Sequence, residues 1–290
     1  MTTHATYSRA ERSNTASDAA RDAIAPAAPW IERLARVGFA AKALLYGIVG
    51  VLAFRAAFSN GGATIGSRGA LASLVRQPYG ALVLAVISIG LFGYAAWRIT
   101  EALIDPERRG TNLKGLGVRI GYAGRGVFHA WLGVQAVRLA LGAGRNTGGG
   151  DGTEQWTARA LDAPLGSWLV IAAGLTVIGY GLYQLYRAWV AKLSKQLNLS
   201  RLSSEAGSWL IKVSRFGLGA RGVVFGVIGT YLVRAGVAHN AEKAADTGEA
   251  LSAIGQQPLG NWLLAIVAIG LIAYGAYDVV QARYRVIRPT

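Results

Sequence analysis

Six stretches of the chain, 37–58, 79–100, 120–141, 165–187, 216–237 and 259–281, are nearly continuous in apolar residues, and polar residues crowd into the segments between them. A helix rising about 1.5 Å per residue crosses a hydrocarbon layer of roughly 30 Å in about 20 residues, so each stretch predicts one membrane-spanning helix. Lys and Arg are shared unevenly among the connecting segments. Segments 1–36, 98–119, 187–215 and 281–290 hold nineteen of them, and the intervening loops hold eight. Basic residues accumulate on the side that stays in the cytoplasm, which predicts two cytoplasmic termini and six alternating helices.

The pattern also repeats. RVGFAAKALLYGIVG at 36–50, RIGYAGRGVFHAWLG at 119–133 and RFGLGARGVVFGVIG at 215–229 align without a gap. Arg36, Arg119 and Arg215 open the copies, and Gly38, Gly121 and Gly217 follow two residues later. Lys42, Arg125 and Arg221 stand at the sixth step, Gly50, Gly133 and Gly229 close each copy, and Arg55, Arg138 and Arg234 come nineteen residues after the opening arginine. The second helix of each pair repeats as well, with Pro78, Pro164 and Pro258 at its start, Gly80, Gly166 and Gly260 two later, and Tyr94, Tyr180 and Tyr274 sixteen later. Proline is expected in the first helical turn, where its missing donor costs nothing. Three hairpins of two crossings each must share one orientation, so the predicted architecture is an all-α polytopic membrane protein. Its six transmembrane helices form three parallel-oriented hairpin repeats in a pseudo-threefold arrangement.

This ordered set of motifs resembles the bacterial family known as domain of unknown function number twelve-oh-six, over roughly residues 32–285. The resemblance implies a six-helix bacterial membrane protein and supplies no substrate and no catalytic residue. The organisation expected is a disordered cytoplasmic tail at 1–31, hairpin repeats at 32–108, 115–192 and 211–285, and a cytoplasmic linker at 193–210. The Gly-rich loop 142–156 lacks the lysine of a phosphate loop and is expected to be a flexible connection.

Small residues recur at i, i+4 and i+7 in the first helix of each repeat: Ala43, Gly47, Gly50; Gly126, Ala130, Gly133; Gly222, Gly226, Gly229. Helices in lipid gain little from hydrophobic association, so such stripes are expected to be packing surfaces that permit close backbone approach. Lys42, Arg125 and Arg221 lie roughly 9 Å inside the arginines that open each copy, below the headgroup level. They either snorkel back to the interface or meet a partner at depth. The repeated tyrosines fall in the same layer, which predicts the pairs Lys42 with Tyr94, Arg125 with Tyr180 and Arg221 with Tyr274. The free carbonyls ending each second helix are a further partner for these cations. A bound anion is the other possibility, a lipid headgroup foremost, which makes these six residues candidates for anion or lipid binding. His129 replaces Tyr46 and Phe225 of the other copies and is expected to pack as an aromatic ring hydrogen-bonded to a neighbouring helix. Buried Gln135 is expected to join helices. Arg55, Arg138 and Arg234 are expected to anchor the outer helix ends, and Trp97, Trp168, Trp189, Trp209 and Trp262 to form interfacial belts.

Composition narrows the functions. The chain has no cysteine, which removes disulfides and thiolate chemistry. No metal-ligand motif, cofactor motif or nucleophile-base pair is present, so no metal, cofactor or catalytic residue is expected. Proton- or sodium-driven transport normally places a carboxylate near the midplane, and the six apolar cores show none. Glu101 and Asp278 are read as boundary residues. The net charge of +15 fits topology and attraction to anionic lipid rather than nucleic acid, for which no binding motif appears. The expectation is a non-enzymatic protein of the bacterial plasma (inner) membrane that binds anionic lipid or a protein partner through its basic inner layer. A passive channel or carrier for small anions along the threefold axis is the alternative.

Overall fold

The computed structural model describes residues 28–59, 64–75, 77–105, 110, 112–143, 152–190 and 203–285, and these contain no β-strand. Each repeat is a long helix, a short helix at the hairpin turn, here termed the outer helix for that end of the bundle, and a long returning helix. The first comprises α1 (Ala28–Phe58), α2 (Ser67–Leu74) and α3 (Gly80–Ile104), the second α4 (Leu113–Ala140), α5 (Thr153–Leu161) and α6 (Gly166–Val190), and the third α7 (Ser204–Ala238), α8 (Thr247–Gly255) and α9 (Gly260–Tyr284). Helices α1, α3, α6, α7 and α9 are long and apolar enough to cross a membrane. Helix α4 is as long, but Arg119, Arg125, His129, Gln135 and Arg138 interrupt its apolar run.

Several expectations need adjusting. Helix α1 begins at Ala28, inside the expected tail, and α7 begins at Ser204, inside the expected linker, because the Ser203 hydroxyl accepts a hydrogen bond from Ala206 N and caps it. Residues 1–27 and 191–202 lie outside the described residues. The expected flexible loop 142–156 ends in the first turn of α5, and its residues 144–151 are likewise outside.

The short outer helices explain the Pro-x-Gly motif. Gly80 N donates to Gln77 O at 2.9 Å, Gly166 N to Ala163 O at 2.8 Å and Gly260 N to Gln257 O at 2.7 Å. Each Pro is therefore the second residue of a tight turn, and lies before the helix rather than in its first turn. Tyr79, Leu165 and Leu259 hold the third place with φ of 60°, as a turn of this kind demands. The glycine that follows lies against the end of the outer helix, where an added Cβ would collide with the carbonyl oxygen of Leu74, Ala160 or Gly255. The turn thus folds α2, α5 and α8 back onto the helices they precede. Helix α8 carries a capping box between Asp246 and Glu249. Asp246→Ala is expected to lower stability by about 1 kcal/mol, measurable as a fall in the thermal midpoint in detergent.

The long helices pack as an open ring in the order α4, α3, α1, α9, α7, α6, each packed neighbour antiparallel. Two kinds of interface alternate. Between repeats, α3 packs on α4, α6 on α7 and α9 on α1. Here lie the glycine stripes: Gly50 faces Ala268 O, Gly126 faces Ile99 and Ala95 O, Gly133 faces the Phe92 ring, Gly222 faces Gly181 O and Gly229 faces Gly174 O. Gly47 and Gly226 offer bare backbone instead, approached by Gly275 and Gly181. The opening arginines lock the same interfaces at one end. Arg36 donates to Ala282 O and Arg283 O of α9, Arg119 to Ala102 O and Leu103 O of α3, and Arg215 to Trp189 O of α6. A cation there suits the negative end of the helix dipole. The carbonyl partners expected for Lys42, Arg125 and Arg221 are thus taken by the arginines one and a half turns earlier.

Within repeats, α1 packs on α3 and α7 on α9. Gly38 closes on Gly90 O and Tyr94, Gly90 on Ala41, Gly217 on Tyr274, and Gly270 on Ala220. A complete threefold ring would need the same contact between α4 and α6, and among the described residues these helices do not pack along each other. Gly121, Gly124 and Gly179, at the aligned positions, have no neighbouring backbone against them. The ring therefore has one open seam, in the second repeat.

Candidate functional site

The cation six steps after the opening arginine of each copy lies level with the tyrosine of its returning helix. Lys42 Nζ lies 4.5 Å from the centre of the Tyr94 ring, the Arg125 guanidinium 5.3 Å from that of Tyr180, and the Arg221 guanidinium 4.7 Å from that of Tyr274. Arg221 also donates from Nη1 to Tyr274 Oη at 2.7 Å and to Tyr180 Oη at 3.1 Å. The three pairs interlock: Lys42 approaches Tyr274 as well, and Arg221 approaches Tyr46 and Phe225. Contacts within about 6 Å of a ring are attractive, the more so when water is excluded.

The cations differ in how they are held. Lys42 is 2 % exposed and does not snorkel; its Nζ meets Asp278 Oδ1 at 3.1 Å. Arg125 is half-buried and turns back along its own helix, Nε donating to Gly121 O, which is the snorkelling direction. Arg221 is buried, and its Nε has no hydrogen-bond partner.

A second polar layer lies one turn beyond the tyrosines. Arg98, Gln184 and Asp278 each follow their tyrosine by four residues, the spacing that puts two side chains on one helix face. Glu101 and Asp278 were read as boundary residues, yet both are buried among the helices. Arg98 donates to Tyr94 Oη and pairs with Glu101, which Arg285 also reaches at 3.4 Å. Asp278 takes Lys42 and the Gln281 amide. Lys42, Arg98 and Arg285 are thus each matched by a carboxylate within the protein. At the second repeat the same position is Gln184, 1 % exposed, with an unpartnered Oε1. Neither Arg125 nor Arg221 meets a carboxylate among the described residues.

Most of these groups line a cavity of about 600 Å³ behind the open seam, with Lys42, Arg98, Arg125, Arg187, Arg221 and Arg285 on its wall and, among the described residues, no acidic side chain. A second cavity of about 440 Å³ continues it towards the outer helices. The two share Gly121, Gly124, Arg125, Thr176, Tyr180 and Arg221. The outer wall is mostly apolar, formed by Phe128, Trp131, Val224, Ile228 and Leu271 among others, and it ends at Ser67, Thr153 and Thr247, the first residues of the three short helices, with Asp246 beside them. The whole is a groove, cationic at one end and apolar along its length.

His129 borders the apolar part, its ring 4.6 Å from that of Tyr94. Its Nδ1 donates to Arg125 O of its own helix, not to a neighbouring helix as expected. Gln135 is only half-buried and makes no hydrogen bond to another helix among the described residues. Trp97 is buried against Ala35, Phe39 and Tyr94 rather than in a belt, while Trp168, Trp189, Trp209 and Trp262 are exposed. Arg55, Arg138 and Arg234 are exposed at the outer ends of their helices. As one layer Arg98, Gln184 and Asp278 escaped the sequence reading, which took Asp278 for a boundary residue, although polar residues at one fixed step from a repeated tyrosine were visible there.

Comparison with known proteins agrees with the threefold repeat. The family pattern described as Domain of Unknown Function (DUF1206) matches three times, at residues 37–105, 120–191 and 216–285. The Bacillus subtilis (strain 168) protein named Uncharacterized protein YxxB is 33 % identical over 257 residues, which is 89 % of this chain and 92 % of that protein. No solved structure matches the chain. Three successive matches over nearly all of the helical region, with a relative alike from end to end, place the chain in the DUF1206 family as three tandem copies of its unit.

Proposed function

We propose that this protein is a non-enzymatic receptor for anionic lipid in the bacterial plasma membrane, with six spans, α4 included, and both termini in the cytoplasm. The lipid headgroup sits in the cationic end of the groove. The carrying observation is that Arg125 and Arg221 line this cavity, neither meeting a carboxylate among the described residues, and that Arg221 Nε is buried without a hydrogen-bond partner. Buried charge is costly unless it is paired, and an anion would do for Arg125 and Arg221 what Asp278 does for Lys42 and Glu101 for Arg98 and Arg285. Arg125 and His129 of α4 face the groove and Arg119 and Arg138 lie towards its ends, which lets this helix lie in lipid despite them. The surplus of Lys and Arg at both chain ends and in the inner segments supports the orientation.

Arg125→Gln with Arg221→Gln keeps hydrogen-bond donors and removes charge. Charge-assisted bonds contribute about 1.5–3 kcal/mol, so the ratio of phosphatidylglycerol to phosphatidylcholine that copurifies with the protein is expected to fall about tenfold. An unchanged ratio overturns the proposal.

Passage of small anions is a second reading, favoured by the meeting of the two cavities at the Arg125–Tyr180–Arg221 layer. The apolar outer half weighs against it, because such a constriction sheds water. Saturable chloride flux in proteoliposomes, lost in the same double variant, would favour it over lipid binding.

A further inference from the structure

The open seam is not a place where the repeat has lost its packing residues. Gly38, Ala41, Gly90 and Gly93 of the first repeat align with Gly121, Gly124, Thr176 and Gly179 of the second and with Gly217, Ala220, Gly270 and Ala273 of the third. In the first and third these residues press the helices together; a Cβ on Gly90 would come within 2.8 Å of Ala41 Cβ, and one on Gly270 nearer still to Ala220 Cβ. In the second, α4 and α6 present small residues to each other across a gap. Gly124, Thr176 and Gly179 are exposed, and an added Cβ on either glycine meets nothing within 4 Å.

A gap of this kind in a bilayer must be filled, and its two ends say by what. A donor prepared for an anion stands at the inner end, with Arg221 Nε buried and unpartnered. Beyond them run Phe128, Val177, Phe225 and Ile228, which offer only dispersion and burial to hydrocarbon. We infer that the hydrocarbon chain of an anionic phospholipid lies in the α4–α6 seam, standing in for the helix contact made at the same positions in the other two repeats. This rests on the headgroup site proposed above and adds to it the path of the chain and the portal by which the lipid enters, sideways from the membrane. The small residues at 121, 124, 176 and 179 keep the slot open to hydrocarbon.

The test fills the slot without touching a charge. Gly124→Leu with Gly179→Leu, in full-length protein reconstituted in phosphatidylcholine nanodiscs doped with phosphatidylglycerol, is expected to reduce bound phosphatidylglycerol about tenfold. That is the loss expected from forcing a couple of buried methylenes out of the groove. Competition by glycerol phosphate, a headgroup without chains, should persist in this variant. Retention of phosphatidylglycerol at the wild-type level overturns the chain site. If the leucine variant retains lipid while the Arg125→Gln, Arg221→Gln variant loses it, the headgroup site stands alone; if only the leucine variant loses lipid, the headgroup site is the part that fails.

Should the leucine variant not fold, a cross-link decides. The chain has no cysteine of its own, and Gly124→Cys with Thr176→Cys places two on the aligned pair. Disulfides need Cβ atoms about 3.5–4.5 Å apart, a spacing reached only if α4 and α6 close as their counterparts do. Oxidation is expected to be about tenfold slower in phosphatidylglycerol nanodiscs than in delipidated detergent solution. A rate equal in both, whether fast or nil, overturns the inference.

Discussion

Lys42→Met alone is expected to destabilise the protein by about 3–5 kcal/mol, and Lys42→Met combined with Asp278→Leu to recover most of that loss. The single substitution leaves Asp278, which is 0 % exposed, with the Gln281 amide at 2.9 Å and no cation against it. Its second oxygen has no partner even in the intact protein. The methionine also forfeits the approach of Nζ to the Tyr94 and Tyr274 rings, worth about 0.5–2 kcal/mol together with its setting. The double variant replaces a buried ion pair by apolar groups of similar bulk, which in other proteins is nearly neutral. Unfolding midpoints in detergent for the two single variants and the double variant form a cycle that isolates the pair. Equal loss in the single and double variants would show that Lys42 acts through packing or through the groove rather than through Asp278.

That pair was half visible in the sequence. Lys42 stood out because its position is basic in all three copies, and Tyr94 because its position is tyrosine in all three. Asp278 did not, because the aligned residues are Arg98 and Gln184, and a search for sameness discards a position whose charge changes sign. Physically the variation is the informative part. A layer that is everywhere cationic must be neutralised from some neighbouring position, and the step four beyond the tyrosine is where each repeat solves this differently. Glu101 and Asp278 serve the closed side of the ring, and Gln184 leaves the open side unbalanced.

The fold was legible as far as identities recur. The hairpins, their shared direction and the depth of the cation–tyrosine layer followed from spacing. The partner of each glycine stripe did not, because a stripe reports close approach without naming the helix that approaches. The stripes of α4 and α7 meet the returning helix of the preceding repeat, and that of α1 meets α9. The short outer helices were hidden among loop residues, since eight or nine residues show little more than two turns of periodicity. The open seam was the least visible feature of all. Its residues are as small as those of the closed interfaces at three of four positions, with Gly124 where they have alanine and Thr176 where they have glycine, so side-chain size does not set the seam apart and the difference lies in what fills the space.

The same substitution at three aligned glycines should therefore change sign around the ring. Gly38→Ala and Gly217→Ala are each expected to cost about 1–3 kcal/mol or more. The new methyl would stand 2.5 Å from Tyr94 Cβ in the first case and within 2.6 Å of Tyr274 Cα in the second, against the backbone of α3 or α9. Backbone cannot step aside as a flexible side chain can, so the helices must separate and the tyrosine of the cation layer moves with them. Gly121→Ala meets nothing closer than Arg125 Nη2 at 3.8 Å. There the gain in helix propensity, about 1 kcal/mol for alanine over glycine, is unopposed, and the variant should be as stable as the parent or more so. Thermal unfolding of the three variants in nanodiscs containing phosphatidylglycerol, where the groove is expected to be occupied, reads the comparison directly. A loss for Gly121→Ala as large as for the other two would mean that α4 and α6 pack together in the membrane as their counterparts do, and that the groove between them is closed there.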